Sequence, residues 1–374
     1  MMQQNSQRPQ IANMQLFIML IAATVSYGHF IYVHLSYIAA GRDAWFSMII
    51  GFLIGSGVFY FLFRLISMYP KLSLIGITRQ IFGTKTGTVI SMLYILFFTL
   101  VGGLTLREVV SFLRLMYPHT PYQAFLLIEL FLVVWVVRAG LEVVARTTQL
   151  LLPVLIVFGS TAAIATLPDK DPRQLLPILD RGIGSLAQGT LMYVVMFSEL
   201  IVFGMMLQET KKPELLPKHG LRTFGILFVM FIGPVTGPIM VFGESLAQAL
   251  VYPTYTEIQY IHLFGILERL DVLGVFLWTV GSFLRISIFL YGAVKGVGEL
   301  IGTKDETNFT LPIVLFTAGF TFSTMPLSRH EVHNFVLTVY PIIALVIGYM
   351  IPGITVVIAG FRNSKILRAK WQYR

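Results

Sequence analysis

Three ionisable residues lie near the middle of long apolar segments of the sequence: Glu129, Glu199 and Arg285. If these segments cross a membrane, each charge is costly unless it is paired or hydrated, and each is a candidate functional residue. Arg285 cannot lose its proton in a protein, so it must face a carboxylate, backbone carbonyls or water. We predict Glu199 as its partner. A fixed structural ion pair and a functional ion pair are both consistent with these residue types.

Two further charged residues are candidates for coupling or for replacing a bound ion. Glu129 has only apolar neighbours between Leu126 and Phe131, and burial would favour its protonated form, which could carry a proton. A hydrogen-bonded scaffold carboxyl is the alternative that we favour for it. Arg146 opens the fifth apolar segment, where we expect its side chain to reach the inner interface. A cation that replaces a sodium ion near the cavity floor is the weaker alternative for Arg146.

The first and the sixth apolar segments are interrupted by polar residues. Paired interruptions at corresponding positions of two halves indicate the substrate site in transporters built from inverted repeats. Gly28 permits an unwound backbone whose free N–H groups would face an anionic ligand, whereas a kink bonded to a neighbouring helix is the alternative. The candidate pocket residues are Ser26, Tyr27, Gly28 and His29 at the first interruption, Tyr193, Phe197, Ser198 and Glu199 at the sixth, and Ser282 and Arg285 in the eighth segment.

The composition defines the elements that must position these residues. The chain has 374 residues, of which 56% are apolar and 12% are charged, whereas soluble domains carry roughly 25% charged residues. We therefore predict an all-α polytopic membrane protein with a single transmembrane domain over residues 1–374. The absence of cysteine excludes disulfides, thiolate metal sites and a cysteine nucleophile.

We expect about ten transmembrane helices, because a helix needs roughly 20 apolar residues to cross the hydrocarbon core. The first five would form one repeat, about 14–166, and the last five a second, about 184–360, followed by a tail at 361–374. Residues 70–85 are expected to form a short interfacial helix. The predicted spans are 14–38, 44–66, 86–110, 122–138, 147–166, 184–207, 220–242, 272–298, 309–325 and 335–360.

The distribution of basic residues predicts the topology. With the N-terminus inside, eighteen of the 27 lysines and arginines fall on the inner side, which indicates that both termini are cytoplasmic. The net charge of +9 is then a topology signal and a contact with anionic membrane lipid, and it does not indicate nucleic acid. The N-terminal segment has no pattern of a cleavable signal peptide.

Two sequence patterns resemble enzyme motifs but lack the neighbouring structure or the spacing that those motifs require. Residues 182–187 match a dinucleotide-binding fingerprint by letters, but no strand precedes them. His330 and His333 are one residue too close for the zinc-protease spacing. Since no nucleophile, metal site or acid–base set is present, we predict no enzymatic activity, no metal and no cofactor.

Several local patterns, taken in their order along the chain, resemble one family. They are Pro70-x-x-Ser73-Leu74 followed by Phe82-Gly83, Arg107-Glu108 followed by Thr120-Pro121, Gly140-Leu141-Glu142 with Arg146, and Glu268-Arg269-Leu270-Asp271 with Tyr291-Gly292. The whole chain resembles the spore germination permeases, which are the B subunits of bacterial germinant receptors. That family belongs to the amino acid–polyamine–organocation transporter superfamily.

The resemblance implies a LeuT-like five-plus-five inverted-repeat bundle with a pocket at the broken helices 1 and 6. It also implies a small-molecule germinant, commonly an amino acid, and partner A and C subunits in the spore inner membrane. Relatives often carry a Gly-Ala-Gly-type run at the first break, whereas this chain has Ser26-Tyr27-Gly28-His29. A tight cradle of backbone N–H groups is therefore less expected here.

Two functions fit the sequence, and they differ in coupling. The favoured one is a transporter-like receptor subunit that binds a small germinant in a central pocket and triggers germination. The alternative is an active proton-coupled amino acid transporter, because no intact sodium site is recognisable.

Overall fold

The computed structural model describes residues 11–260, 271–303 and 305–372, with side chains described up to residue 362 except that of residue 271. The predicted motif at Glu268–Leu270 and most side chains of the predicted tail lie outside the described residues.

Helices make up nearly all of the described chain. In order they are α1 (Asn13–Tyr27), α2 (Val33–Ala40), α3 (Ala44–Gly55), α4 (Gly57–Met68), α5 (Leu74–Met116), α6 (Tyr122–Arg138), α7 (Leu141–Ala165), α8 (Gly182–Ser198), α9 (Leu216–Ala249), α10 (Pro253–Gln259), α11 (Asp271–Ile301), α12 (Thr310–Thr324), α13 (Arg329–Thr338), α14 (Tyr340–Leu345) and α15 (Ile351–Gln372).

Within the described residues, seven helical segments are long and apolar enough to cross a membrane. One of them, Asn13–Met68, contains the first two predicted spans, which a 3₁₀ turn at Gly41–Asp43 separates. The fourth and ninth predicted spans correspond to α6 and α12, which have 17 and 15 residues and are shorter than a typical membrane-spanning helix. The number of ten spans stays a prediction.

Glycines with a left-handed backbone interrupt two of the long helices. Gly83 has φ 79° and separates the first turns of α5 from its long apolar part, where the sequence predicted an interfacial helix followed by span three. Gly243 has φ 75° near the end of α9. Only glycine adopts these angles without strain, so each residue fixes a bend between a membrane segment and an end of the bundle.

The first predicted interruption is a π-helical turn at Gly28–Tyr32 between α1 and α2. The Gly28 N–H bonds to the carbonyls of Thr24 and Val25, and the Val33 N–H bonds to that of Gly28. Since the backbone groups are used within the helix, this turn presents no cradle of free N–H groups. Gly28 is required by close packing, because a Cβ there would overlap the ring of Phe231.

The sixth predicted segment changes its backbone beside Glu199. Helix α8 ends at Ser198, and a 3₁₀ helix continues from Glu199 to Met205. Such local departures from α-helical geometry are frequent at functional sites. The two interruptions therefore lie where the sequence placed them, as a π turn in one segment and a 3₁₀ helix in the other.

Candidate functional site

Glu199 and Arg285 form a buried ion pair at the centre of the bundle. Arg285 Nη2 lies 2.5 Å from Glu199 Oε2, and the two side chains are 1% and 2% exposed. Arg285 extends from α11, and Glu199 is the first residue of the 3₁₀ helix that follows α8. The pairing that the sequence predicted is thus present in the structure.

Arg285 uses each of its three nitrogens. Its Nε donates to Thr105 Oγ1 of α5 at 3.0 Å, and its Nη1 donates to the backbone carbonyl of Ala23 in α1. The rings of Tyr27 and Phe289 face the guanidinium, with centroids 4.9 and 4.8 Å from Cζ. Such contacts favour a cation where water is excluded. Arg285 therefore connects α1, α5 and the 3₁₀ helix through one side chain.

Two tyrosines that sequence reasoning missed complete the coordination of Glu199. Tyr32 donates to Oε1 from 2.7 Å, and Tyr340 of α14 donates to the same oxygen. Both tyrosines are fully buried. Tyr32 lies in the π turn, so its position close to the first interruption could have identified it as a residue of the site. Nothing in the sequence distinguishes Tyr340 or Thr105 from other residues of membrane helices.

The space around this centre is small. A void of about 10 Å³ lies among Tyr27, Tyr32, Glu199, Arg285 and Tyr340, which is about the volume that one water molecule needs. An arginine and a carboxylate are complementary to the carboxylate and ammonium groups of a zwitterion. A ligand with those groups would exchange partners with the ion pair only if the centre expanded.

The residues predicted around the first interruption face two different regions. Tyr27 contacts Arg285 in the centre, whereas Ser26 and His29 line a separate cavity of about 300 Å³. Ser26 also packs against α11, because a Cβ on Gly281 would lie 2.9 Å from its Oγ. The single pocket that the sequence predicted is therefore divided, because Tyr27 points to one side of this segment and Ser26 and His29 point to the other.

Three residues predicted for the pocket are part of the packed core instead. Tyr193 shares a hydrogen bond of 2.9 Å with Ser36 of α2. The Phe197 ring packs edge-on against Phe52 at 4.8 Å, and Ser198 donates to the Val195 carbonyl at 2.6 Å. The expectation that these side chains line the ligand pocket does not fit this arrangement, because each is buried against its helical neighbours.

Ser282 lies one turn before Arg285 on α11, so both side chains lie on the same side of that helix. It is 1% exposed, and its Oγ has no hydrogen-bond partner among the described residues. A buried hydroxyl without a partner is unfavourable. The Ser282 hydroxyl is therefore free to form a hydrogen bond, as is Nε2 of His29, which has no partner in the described chain and lines the cavity of about 300 Å³.

The two predicted coupling residues lie away from the centre. Arg146 is 70% exposed and pairs with Glu142 one turn earlier at 2.6 Å, so it does not act as a cation at the cavity floor in this conformation. Glu129 is buried beside a cavity of about 360 Å³ that Leu113 of α5 and Thr279 of α11 also line. Its Oε1 has no partner in the described chain, and no contact connects it to Arg285.

A second charged cluster, formed by Arg107, Glu108, Tyr252 and Arg329, closes one end of the bundle. We call this end of the bundle the Lys170 face, after Lys170 in the loop that follows α7. Glu108 of α5 accepts a hydrogen bond from Tyr252 at 3.1 Å and lies 3.3 Å from Arg329 at the start of α13. Arg329 also donates to the Tyr252 hydroxyl at 2.6 Å. Arg107 donates to the Leu327 carbonyl at 3.0 Å. These contacts connect α5, α13 and the turn before α10 above the centre.

The opposite end, which we call the Lys295 face, is closed by other contacts. Lys295 of α11 forms a buried ion pair with Glu209. Asn13, at the start of α1, donates to the Lys212 carbonyl at 2.6 Å. Because both ends are connected in this way, the centre is closed from either side. No group of three or more potential metal ligands is found among the described residues.

The fold and this closed centre define the class of the protein: an integral membrane protein with the LeuT-type transporter fold. MhsT in complex with L-phenylalanine aligns over 95% of this chain and 99% of its own, with a TM-score of 0.66 and 13% identity. Mhp1, a nucleobase–cation symport transporter in a closed conformation, aligns over 93% of this chain and 78% of its own, with a TM-score of 0.68 and 14% identity. At such identities the likeness shows the fold alone.

The chain belongs to the spore germination protein family, whose family model matches residues 10–332. Spore germination protein KB of Bacillus subtilis (strain 168) is 28% identical over 282 residues, which are 74% of this chain and 75% of that protein. Spore germination protein XB of Bacillus anthracis is 27% identical over 333 residues, 88% of this chain and 92% of that protein. The family and the fold indicate a receptor or transporter.

Proposed function

We propose that this protein is the transporter-like subunit of a spore germinant receptor, which binds a small amino acid at the Glu199–Arg285 centre and triggers germination. Its membership of the spore germination family supports the role, and the zwitterion-complementary charges of the centre support the ligand class. The proposal includes A and C partner subunits, the spore inner membrane as the location, and cytoplasmic termini.

The single observation that carries the proposal is the ion pair itself. Glu199 and Arg285 receive contacts from Tyr32, Tyr340 and Thr105, which lie on three different segments. A ligand that separates the pair must change all of these contacts together. Because packed cores have discrete arrangements and do not deform continuously, such a change would pass to the ends of the bundle and from there to partner subunits.

The size of the ligand follows from the same geometry. The void of about 10 Å³ requires the centre to expand for any ligand, and expansion is least for a small side chain. We therefore propose glycine, alanine or a similarly small amino acid as the class of ligand. The free Ser282 hydroxyl is a further contact for its polar groups.

An active proton-coupled amino acid transporter is the second candidate, because a buried carboxyl at the centre of a membrane protein can carry a proton. In that case Glu199 would bind and release a proton as the two ends of the bundle open in turn. The contacts at the Lys170 face and at the Lys295 face would then have to break alternately.

One experiment distinguishes the germinant sensor from the proton-coupled transporter. The purified protein is first screened against small amino acids by thermal shift, and the ligand found is supplied in radiolabelled form to proteoliposomes. If the protein is a sensor, we expect saturable binding of the labelled amino acid without its accumulation inside the vesicle. Concentrative uptake that collapses when the proton gradient is removed would favour the transporter, and absence of binding to any small amino acid would contradict the proposed ligand class.

A further inference from the structure

The cavity of about 300 Å³ beside the π turn is separate from the Glu199–Arg285 centre. It lies among α1, α7, α9, α10 and α11 and is bounded by residues such as His29, Leu155 and Trp278. Its volume is at the lower end of the roughly 300–1,000 Å³ found for small-molecule pockets and is about thirty times that of the central void. We call it the lateral cavity.

An ion pair lies in the wall of the lateral cavity. Lys170 Nζ lies 3.0 Å from Glu257 Oε1, and both side chains are 8% exposed. Glu257 also accepts a hydrogen bond from the Thr166 side chain. Because an ammonium group has three donors and a carboxylate accepts about four hydrogen bonds, these contacts still leave both groups with unused capacity. The titratable side chains that line this cavity in the described chain are Lys170, Glu257 and His29.

The remainder of the wall is mostly apolar. Leu152, Leu155 and Ile156 of α7 face the cavity together with Trp278 of α11. An uncharged apolar occupant would leave the buried ion pair without water or further partners, which is unfavourable. A purely polar occupant would leave the apolar side chains of the wall without apolar contacts. The surface as a whole matches a molecule with two opposite charges at one end and a bulky apolar body.

The lateral cavity also contacts the turn that carries residues of the centre. Thr254 of α10 donates to the His29 carbonyl at 2.9 Å, and both residues line the cavity. His29 lies in the same stretch as Tyr27 and Tyr32, whose side chains contact Arg285 and Glu199. A ligand in the cavity would therefore press on the backbone that positions those tyrosines.

We propose that the lateral cavity is a second binding site, which takes an amino acid with a bulky branched apolar side chain and modulates the centre. The ligand carboxylate binds Lys170, its ammonium binds Glu257, and its side chain packs against Leu155 and Trp278. The site is distinct from the germinant site proposed for the centre, because in the described chain its walls share no side chain with the central void.

Gly159 provides a direct test, because it lines the lateral cavity and a Cβ added there meets no atom within 4 Å. A phenylalanine at this position has room for its Cβ and is expected to place its ring in the cavity. Gly319 on α12 is a matched control, since it also has open space and lies on an exposed surface. The probe is radiolabelled L-leucine, bound to the purified protein in lipid nanodiscs of phosphatidylglycerol and phosphatidylethanolamine.

Wild type and Gly319→Phe are expected to bind L-leucine equally, and Gly159→Phe is expected to lose at least tenfold in affinity. Glu257→Gln is expected to lose a similar factor. 4-Methylpentanoate and isoamylamine, which are L-leucine without its ammonium and without its carboxylate, are expected to compete at least tenfold more weakly than L-leucine. Equal binding by Gly159→Phe and wild type, or no saturable L-leucine binding by wild type, would overturn the site. Displacement of L-leucine by the lipid alone would assign the cavity to an acyl chain and would also overturn it.

The same variants separate this site from the proposed function. Glu199→Gln is expected to keep L-leucine binding while losing the germinant response of spores. If Glu199→Gln spores respond normally and Gly159→Phe still loses L-leucine binding, the lateral site stands and the proposed central function fails. If L-leucine binding is unchanged in Gly159→Phe and Glu199→Gln spores do not respond, the lateral site fails alone.

Discussion

Replacement of Glu199 by glutamine tests whether the central ion pair behaves as a coupled unit. The substitution keeps the shape of the side chain and removes its charge. Arg285 then keeps its bonds to Thr105 and to the Ala23 carbonyl and its contacts with two aromatic rings. It has lost its only carboxylate contact within 4 Å in the described chain, and it cannot be neutralised.

The expected magnitudes follow from this asymmetry. Removal of one partner of a buried pair costs about 3–5 kcal/mol, because the other charge stays buried without compensation. Glu199→Gln should lie in that range. Arg285→Met should cost less, since the remaining carboxyl keeps its bonds from Tyr32 and Tyr340 and can take up a proton. The double variant should be more stable than Glu199→Gln alone.

The free energy of unfolding is measured in mixed detergent micelles by tryptophan fluorescence. The control is the same pair of substitutions at Glu142 and Arg146, which form an exposed pair at 2.6 Å and should be coupled by less than about 1 kcal/mol. Strict additivity of Glu199→Gln and Arg285→Met would refute the reasoning, because independent side chains show no coupling energy.

Three further predictions concern the ends of the bundle, its packing and its pH dependence. Arg329→Gln removes a charge-assisted bond to Glu108 that is worth about 1.5–3 kcal/mol. A Ser282→Cys reporter in this cysteine-free chain should then react with a water-soluble maleimide roughly ten- to hundredfold faster. An unchanged reaction rate would contradict the closing role of Arg329. Gly348→Ala places a Cβ about 2.5 Å from that of Ser198 and should lower the free energy of unfolding by about 1–3 kcal/mol. Gly360→Ala is the control and should leave this free energy unchanged, because a Cβ there meets open space. Equal effects of the two substitutions would contradict the packing argument. Burial raises the pKa of the Glu257 carboxyl above its ordinary value of 4.5, although Lys170 opposes the shift. L-leucine affinity should therefore fall as the pH drops towards that raised pKa, because the protonated carboxyl no longer attracts the ammonium group. A Kd that is constant down to pH 4.5 would contradict the role of that carboxylate.

The ion pair of the centre was predictable because a membrane limits the options of a charged side chain. Arg285 had to find a carboxylate, carbonyls or water at its depth. Glu199 was the acidic residue nearest the second interruption of the apolar pattern. The structure confirms the contact at 2.5 Å. The chemical requirement of Arg285, together with the expectation that spans six and eight of a five-plus-five fold both face the central cavity, was enough to identify its partner.

The rest of the centre was not predictable by the same reasoning. Tyr32, Tyr340 and Thr105 are ordinary residues of membrane helices, and only the packing of α1, α5 and α14 brings them to the pair. The π turn was also hidden, because Gly28 suits an unwound backbone and a close approach equally well. The observed role of Gly28, which admits the Phe231 ring, depends on a residue about two hundred positions away.

The division of the predicted pocket has a similar cause. Ser26, Tyr27 and His29 are consecutive or nearly so, and the sequence assigned them to one site. On a helix, neighbours in sequence point in different directions, so Tyr27 faces the centre while Ser26 and His29 face the lateral cavity. The charged closure at Glu108, Tyr252 and Arg329 joins residues more than two hundred positions apart at its extremes, and local patterns carry no information on such contacts.

The germinant response of spores that carry Glu199→Gln tests the proposed role of the centre most directly. The variant replaces the native chain at the same level in the spore membrane, and the loss of refractility is recorded across a series of amino acid concentrations. We predict that the response is lost although the protein is present and folded. A normal response at the wild-type concentration of germinant would show that the Glu199–Arg285 pair is a structural element and not the sensing site.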